Sequence, residues 1–257
     1  MHAPRSPQAI TPDLLLLAYR SGIFPMADAR DDPEIFWVEP RKRAILPLDG
    51  FHCSRSLART LRRGRFTVTC NAAFERVLDA CAAPRGEARD TWISHRIEQT
   101  YLAMHEDGHA HSIECWLDGE LAGGLYGVGF DRVFCGESMF SRVPDASKVA
   151  LAWLVAALRR SGAALLDCQF MTPHLASMGA VEIAQKRYLG LLARAQSPRY
   201  SGEAAGEGLG GAATEGAGVG AGLALPEGFA ALLGDAKVAG SSSSPGNFIA
   251  QSLIQTS

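Results

Sequence analysis

The sequence predicts an α+β fold: a mixed sheet flanked by helices, with a small N-terminal region before it and a flexible C-terminal tail after it. Three observations lead there. Between 109 and 140, three strand-like stretches follow one another, HAHSIECWLDG, ELAGGLYGVGF and DRVFCGESMF. Asp-Gly at 118–119 and Phe-Asp at 130–131 suit the hairpin connections between them. Around these strands run helical patterns with recognisable starts and stops, the arrangement of helices packed on a sheet. Finally, 16 of the 24 residues from Ser201 to Ala224 are Gly or Ala. Such a segment buries too little area to offset its ordering entropy.

Each element has a local reason. Thr11-Pro12-Asp13 is a helix start, with a capping hydroxyl, a proline at the first helical position and an acid in the first turn. Gly22 ends that helix and Pro25 prevents it resuming. EIFWVEP and KRAILPL read as short strands, CSRSLARTLRRG as a basic amphipathic helix with Leu57 and Leu61 on its apolar side, and RFTVTCN as an alternating strand. AAFERVLDACA and ISHRIEQTYLAMHEDG are helices. After the three central strands, Asp145 is expected to cap a helix from Ala146 to Arg160, which Gly162 terminates. AALLDCQF is a strand, MTPHLASMG a short helix stopped by Gly179, and VEIAQKRYLGLLARA closes the ordered part. These elements divide into an N-terminal α/β region over 1–65, a main domain over 66–199 and a disordered tail over 200–257, in which LPEGFAALLG docks weakly at most. Removing the tail is therefore expected to cost little.

Composition narrows the function. No apolar run approaches the roughly 20 residues that span a bilayer, and the start of the chain lacks the pattern of a signal peptide. Six cysteines without a CxxC pair argue for buried thiols in a reducing compartment, so the cytoplasm is expected. The overall charge of −2 hides a local concentration: residues 41–65 hold eight Arg or Lys against one Asp. That field, carried by Arg41, Lys42, Arg43, Arg55, Arg59, Arg62, Arg63 and Arg65, can hold a phosphate backbone; the plain alternative is a solvated helix face.

The candidate chemistry lies in Glu137, Asp167 and Gln169. Strand alternation puts Asp167 and Gln169 on one face and Cys168 with Leu166 on the other, so Cys168 reads as core. Glu137 follows Gly136, which permits close approach of a ligand, and its carboxylate suits an amine; an Arg partner is the plain alternative. Leu125, Phe134 and Met139 suit an apolar pocket or ordinary packing. His105, His109 and His111 lack the spacing of a metal site, so no metal is expected. Trp92 is the tryptophan best placed to reach a cleft.

Ordered motifs along residues 10–195 resemble the leucyl/phenylalanyl-tRNA–protein transferases: YRSGIFPM (19–26), FWVEPRKRAIL (36–46), TWI (91–93), HAHSIECW (109–116), GGLYGV (123–128), FCGESMFS (134–141), DASK (145–148), LDCQ (166–169), HLASMGA (174–180) and RYL (187–189). The resemblance implies transfer of Leu or Phe, and also Met, from charged tRNA to an N-terminal Arg or Lys of an acceptor protein, which marks that protein for degradation. It implies a core like that of the Gcn5-related acetyltransferases, no cofactor and no metal; we expect a monomer. The family's side-chain pocket falls on Leu125, Phe134, Met139 and Leu154, beside Gly136 and Glu137. The 3′ end of the tRNA falls on Trp92 and Met26. Positions 125 and 154 are usually Met and Phe in the family, and position 26 usually Trp, so this chain departs at all three. Gln169 is expected to hold the attacking amine through its side-chain oxygen, oriented by Asp167. Two other readings are an acyl-CoA-dependent N-acyltransferase, for which no pyrophosphate loop is present, and a non-catalytic RNA-binding protein, which has no need of the three polar residues together.

Overall fold

A computed structural model describes residues 10–84, 90–197, 222–239 and 245–254. Helix α1 (Pro12–Arg20) starts as its sequence requires, with Thr11 Oγ1 accepting the Leu14 N–H at 3.2 Å. Gly22 ends it in the left-handed region at φ +82°. Strands β1 (Phe24–Met26) and β2 (Phe36–Val38) then pair as a separate antiparallel ribbon.

The remaining strands form one sheet. They are β3 (Lys42–Ile45), β4 (Thr67–Cys70), β5 (Ala110–Leu117), β6 (Glu120–Phe130), β7 (Val133–Ser141), β8 (Leu165–Gln169) and β9 (Val181–Ala184), in the order β4-β5-β6-β7-β8-β3-β9. Only β7 and β8 are parallel, and helix α5 (Ala146–Arg160) makes the crossover between them that a parallel pair needs. The helices cover both faces. On one side α5 packs with α2 (Arg55–Arg62) over Leu125, Phe134 and Leu166. On the other, α1, α3 (Phe74–Ala82), α4 (His95–Glu106) and α7 (Gln185–Gln196) pack over Tyr126, Val128 and Cys135. The short helix α6 (Pro173–Ala176) follows β8 and is capped by Thr172. Both faces are filled, so α5, central to one of them, is buried almost all round.

Three expectations change. The boundary at 65 falls inside the core: β3 sits between β8 and β9, and α2 packs on α5. The separate N-terminal part therefore ends near residue 41. Asp145 stands at the start of α5 but does not cap it; its backbone is left-handed at φ +69° and its carboxylate reaches Lys148 Nζ at 3.3 Å. The Ser147 N–H is taken by Ser141 Oγ instead, at 3.3 Å. The tail departs furthest. Although 200–221 lie outside the described residues, α8 (Leu225–Val238) and α9 (Pro245–Ile254) are docked helices. Leu225, Phe229, Leu232, Ile249 and Leu253 are buried within the core cluster around α5. Glycine-rich sequence before the helices masked an apolar face that has a partner to cover it.

Candidate active site

The site arises where two strands part. β7 and β8 pair from Val133↔Leu165 to Cys135↔Asp167 and no further. Beyond that point β7 continues against β6, while β8 ends at Gln169. Gln169 takes φ +59°, an unfavourable conformation for a side chain of this kind, costing of order 1–3 kcal/mol. Asp167 Oδ1 holds it by accepting the Gln169 backbone N–H at 2.9 Å. Strand alternation therefore stops at Gln169, and its side chain reaches across the gap.

There it meets Glu137. Gln169 Nε2 donates to Glu137 Oε2 at 2.7 Å, and Tyr101 Oη donates to the same oxygen at 3.0 Å. Tyr19 Oη lies 2.7 Å from Tyr101 Oη and extends the chain of hydroxyls. Burial pushes the Glu137 carboxyl up to about 7, against the hydrogen bonds from Gln169 and Tyr101 that favour its charged form. Glu137 Oε1 is buried with no hydrogen-bond partner among the described residues, an arrangement that a ligand donor would satisfy. With Nε2 committed to Glu137, the oxygen of the Gln169 amide is the atom left for the pocket.

Asp167 plays a different part from the one alternation suggested. It is fully buried and does not line the pocket. Arg43 holds it with Nε at 2.9 Å from Oδ1 and Nη2 at 2.6 Å from Oδ2, and Tyr188 Oη donates to Oδ2 at 3.0 Å. The guanidinium lies between the Phe24 and Tyr188 rings, 4.7 and 4.5 Å from their centroids, and donates to the Gly22 carbonyl. Arg43 is thus removed from the expected phosphate-binding set: at 1% exposure it cannot reach RNA. Asp167 meets Gln169 through the backbone N–H of that residue.

The pocket above Glu137 and Gln169 is apolar. Leu125, Gly136, Met139, Leu151, Leu154, Leu166 and Cys168 line it, with Met26, Trp92 and Phe170 among its other walls. Phe134 is corrected: it is fully buried outside the lining, its ring edge packed where a Cβ on Gly127 would have to go. Cys168, read as core, borders the pocket, and burial pushes its thiol well up. Leu151, Phe170 and His174 line it without having been singled out, since nothing in an apolar helix or a post-strand loop marks which residues face a gap. The tyrosines 19, 101 and 188 were also missed. Each sits on the buried side of a helix, which brings its hydroxyl to a carboxylate or to another tyrosine that is distant in sequence.

The basic field divides. Arg41, just before β3, and Lys42, at its start, are exposed, Lys42 paired with Glu182 at 2.9 Å. On α2, Leu57, Ala58 and Leu61 are buried, while Arg55, Arg59 and Arg62, with Arg63 at the C-cap, are exposed around one depression. The histidines serve locally, His105 Nδ1 bonding the Ala110 carbonyl at 2.7 Å and His111 bonding Asn71 at 3.0 Å. Among the described residues no group of three His, Cys, Asp or Glu is placed to hold a metal ion, and no helix is long and apolar enough to cross a membrane.

A model of the leucyl/phenylalanyl-tRNA protein transferase family matches residues 45–193, and a model of that family's N-terminal domain matches 8–41. The chain belongs to the leucyl/phenylalanyl-tRNA–protein transferase family. A member from Novosphingobium aromaticivorans is 69% identical over 98% of both chains. The member from Rhizorhabdus wittichii is 58% identical over 72% of this chain and 75% of its own, and that from Zymomonas mobilis is 56% identical over 77% and 74%. This leucyl/phenylalanyl-tRNA–protein transferase family member is an enzyme, a tRNA-dependent aminoacyltransferase that moves Leu or Phe to the N-terminal residue of acceptor proteins. The two family models meet near residue 41, where the β1–β2 ribbon gives way to the main sheet, and they end before α8.

Proposed function

We propose that the gap between β7 and β8 receives the aminoacyl ester at the 3′ end of tRNA, and that its acceptor is a protein beginning with Arg or Lys. The observation that carries this reading is the Glu137–Gln169 pair at the polar end of an otherwise apolar pocket. The amino-acid side chain enters between Leu125, Met139, Leu151 and Leu154. Its α-amine lies at the unpartnered Glu137 Oε1, the nearest buried acceptor. Trp92 and Met26, at the wall of the pocket, face the terminal adenosine, with Trp92 offering a stacking surface. Arg41, Lys42, Arg55, Arg59, Arg62 and Arg63 supply charge for the RNA backbone.

The ester is already activated, so the reaction consumes no nucleotide. The acceptor nitrogen attacks the ester carbonyl carbon, a C–N bond forms, and the C–O bond to the ribose breaks. The nitrogen's proton leaves with the ribose oxygen. An unperturbed α-amine, with a pKa near 8, is roughly a tenth neutral at pH 7. Holding that fraction in line with the carbonyl supplies much of the rate. Gln169 Oε1 accepts an N–H of the attacking amine and steadies the positive charge that develops there. A neutral amide is too weak a base to do more.

One assay tests this. Leu-, Phe- and Met-tRNA are offered in turn with peptides beginning Arg, Lys or Ala, alongside acyl-CoA donors. Transfer from Leu- or Phe-tRNA to Arg and Lys peptides, with Ala inert, is expected. Equal use of Ala peptides would overturn the acceptor assignment, and transfer from acyl-CoA alone would overturn the donor.

A further inference from the structure

The C-terminal helices sit against the element that carries the basic surface. α8 lies on α5, where the Phe229 ring is 5.3 Å from that of Trp153, and Asp235 pairs with Arg160 at 3.2 Å. Its backbone comes so close that a Cβ on Gly228 would lie 2.7 Å from the Ala157 carbonyl oxygen. α9 lies on α2 in the same manner: a Cβ on Gly246 would collide with the Leu61 carbonyl. Arg159 ties the parts together, donating through Nε to Leu48 O at 2.8 Å and through Nη1 to Ser252 O at 3.2 Å. At the far end, Ile254 shares one depression with Arg55, Arg59, Arg62 and Arg63. Both helices lie beyond residue 193, where the family model ends.

A helix of eight residues has no stability of its own in water. α2 depends on what covers Leu57, Ala58 and Leu61, and part of that cover is α9. Arginines on an unsupported helix would still be charged, but their spacing against successive phosphates would be lost, and with it the concerted release of counterions.

We propose that α8 and α9 form a brace that fixes α2 and builds one wall of the surface receiving the tRNA backbone. This rests on the reading that the α2 arginines hold that backbone. The brace makes the C-terminal segment a determinant of tRNA affinity without a role in the chemical step.

The test uses the full chain. Ile254 is 41% exposed, so its replacement leaves the packing intact. Ile254→Asp places an anion among four arginines and Ile254→Lys adds a cation. The Asp variant is expected to raise the Kd for tRNA roughly tenfold at low salt, the scale of one or two lost phosphate contacts, and the Lys variant to lower it. kcat at saturating charged tRNA stays within about twofold for both. Gly246→Val, which pushes α9 off Leu61, is expected to raise Kd in the wild-type background. It should add little in an Arg59/Arg62/Arg63→Ala background, as coupled sites do. Unchanged Kd in both Ile254 variants would overturn the wall, and full additivity of Gly246→Val would overturn the brace. A triple-alanine variant that binds tRNA like the wild type would instead remove the α2 reading itself.

Discussion

Glu137 and Gln169 lie on parallel neighbouring strands that have just separated, and the 2.7 Å hydrogen bond between their side chains closes the gap that the backbone leaves open. The bond fixes which end of the Gln169 amide faces the pocket. Glu137 Oε2 accepts from Tyr101 and from Gln169 alike, so Nε2 points at Glu137 and Oε1 is left facing the pocket.

Gln169→Glu is therefore expected to be more harmful than its shape suggests. It sets a second carboxylate beside Glu137 and removes the donor. We expect kcat to fall by about a hundredfold, the scale of a misplaced reacting group, with Kd for tRNA within about twofold. Initial rates at saturating charged tRNA, beside a filter-binding titration, measure both. A wild-type kcat would take Gln169 out of the mechanism.

Asp167→Ala should fail first as a protein. Arg43 would remain buried without its carboxylate, at a cost of about 3–5 kcal/mol. Replacing both partners by apolar residues, Arg43→Met with Asp167→Leu, should recover most of that stability. Activity should not return, because the backbone N–H of Gln169 has lost its tether. Urea melts and rates on the two variants separate these effects; recovery of activity by the double variant would show that the tether is dispensable.

The raised Glu137 carboxyl makes stability depend on pH. Below about pH 4.5, the ordinary value, it is protonated in both folded and unfolded chains. Between 4.5 and 7 the unfolded chain releases the proton first, so this group's contribution falls as pH rises, by about 3 kcal/mol at most, and levels off above 7. Glu137→Gln should remove that component. Comparing the unfolding free energies of wild type and variant from about pH 4 to 8 measures it; identical slopes would mean that Glu137 is not held neutral by burial.

Pocket size should set the choice between donors. Leu154 is buried at the wall of the pocket, and Phe in its place narrows the space. The ratio of kcat/KM for Phe-tRNA to that for Leu-tRNA should fall about tenfold or more, the scale for one or two methylenes in an apolar site. A ratio unchanged in Leu154→Phe would place the side chain elsewhere.

Docking of the tail predicts a large loss where a flexible tail predicts none. Phe229 is 5% exposed against Trp153, and Phe229→Ala should destabilise the protein by about 3–5 kcal/mol. A thermal melt within a degree of the wild type would return the tail to a dispensable appendage.

The sequence by itself determined most of the elements and the identity of the polar groups. Thr11, Gly22 and Gly179 act through local backbone chemistry, so their effects were legible without partners. The three successive strand-like stretches from 109 to 140, with their turn residues, and the ordered motifs pointed to the sheet and the family. Only the tertiary structure decided what each polar group touches. Arg43 belongs to a basic run in sequence, yet β3 carries it beside β8, where an oppositely charged buried partner outweighs any attraction to solvent or RNA. Asp167 and Gln169 look equivalent two residues apart, but a single left-handed residue at the strand's end separates their roles. The apolar residues of α8 and α9 are too few to fold alone. They become structure because α5 and α2 present the surface they cover, and that surface is assembled from parts of the chain far away in sequence.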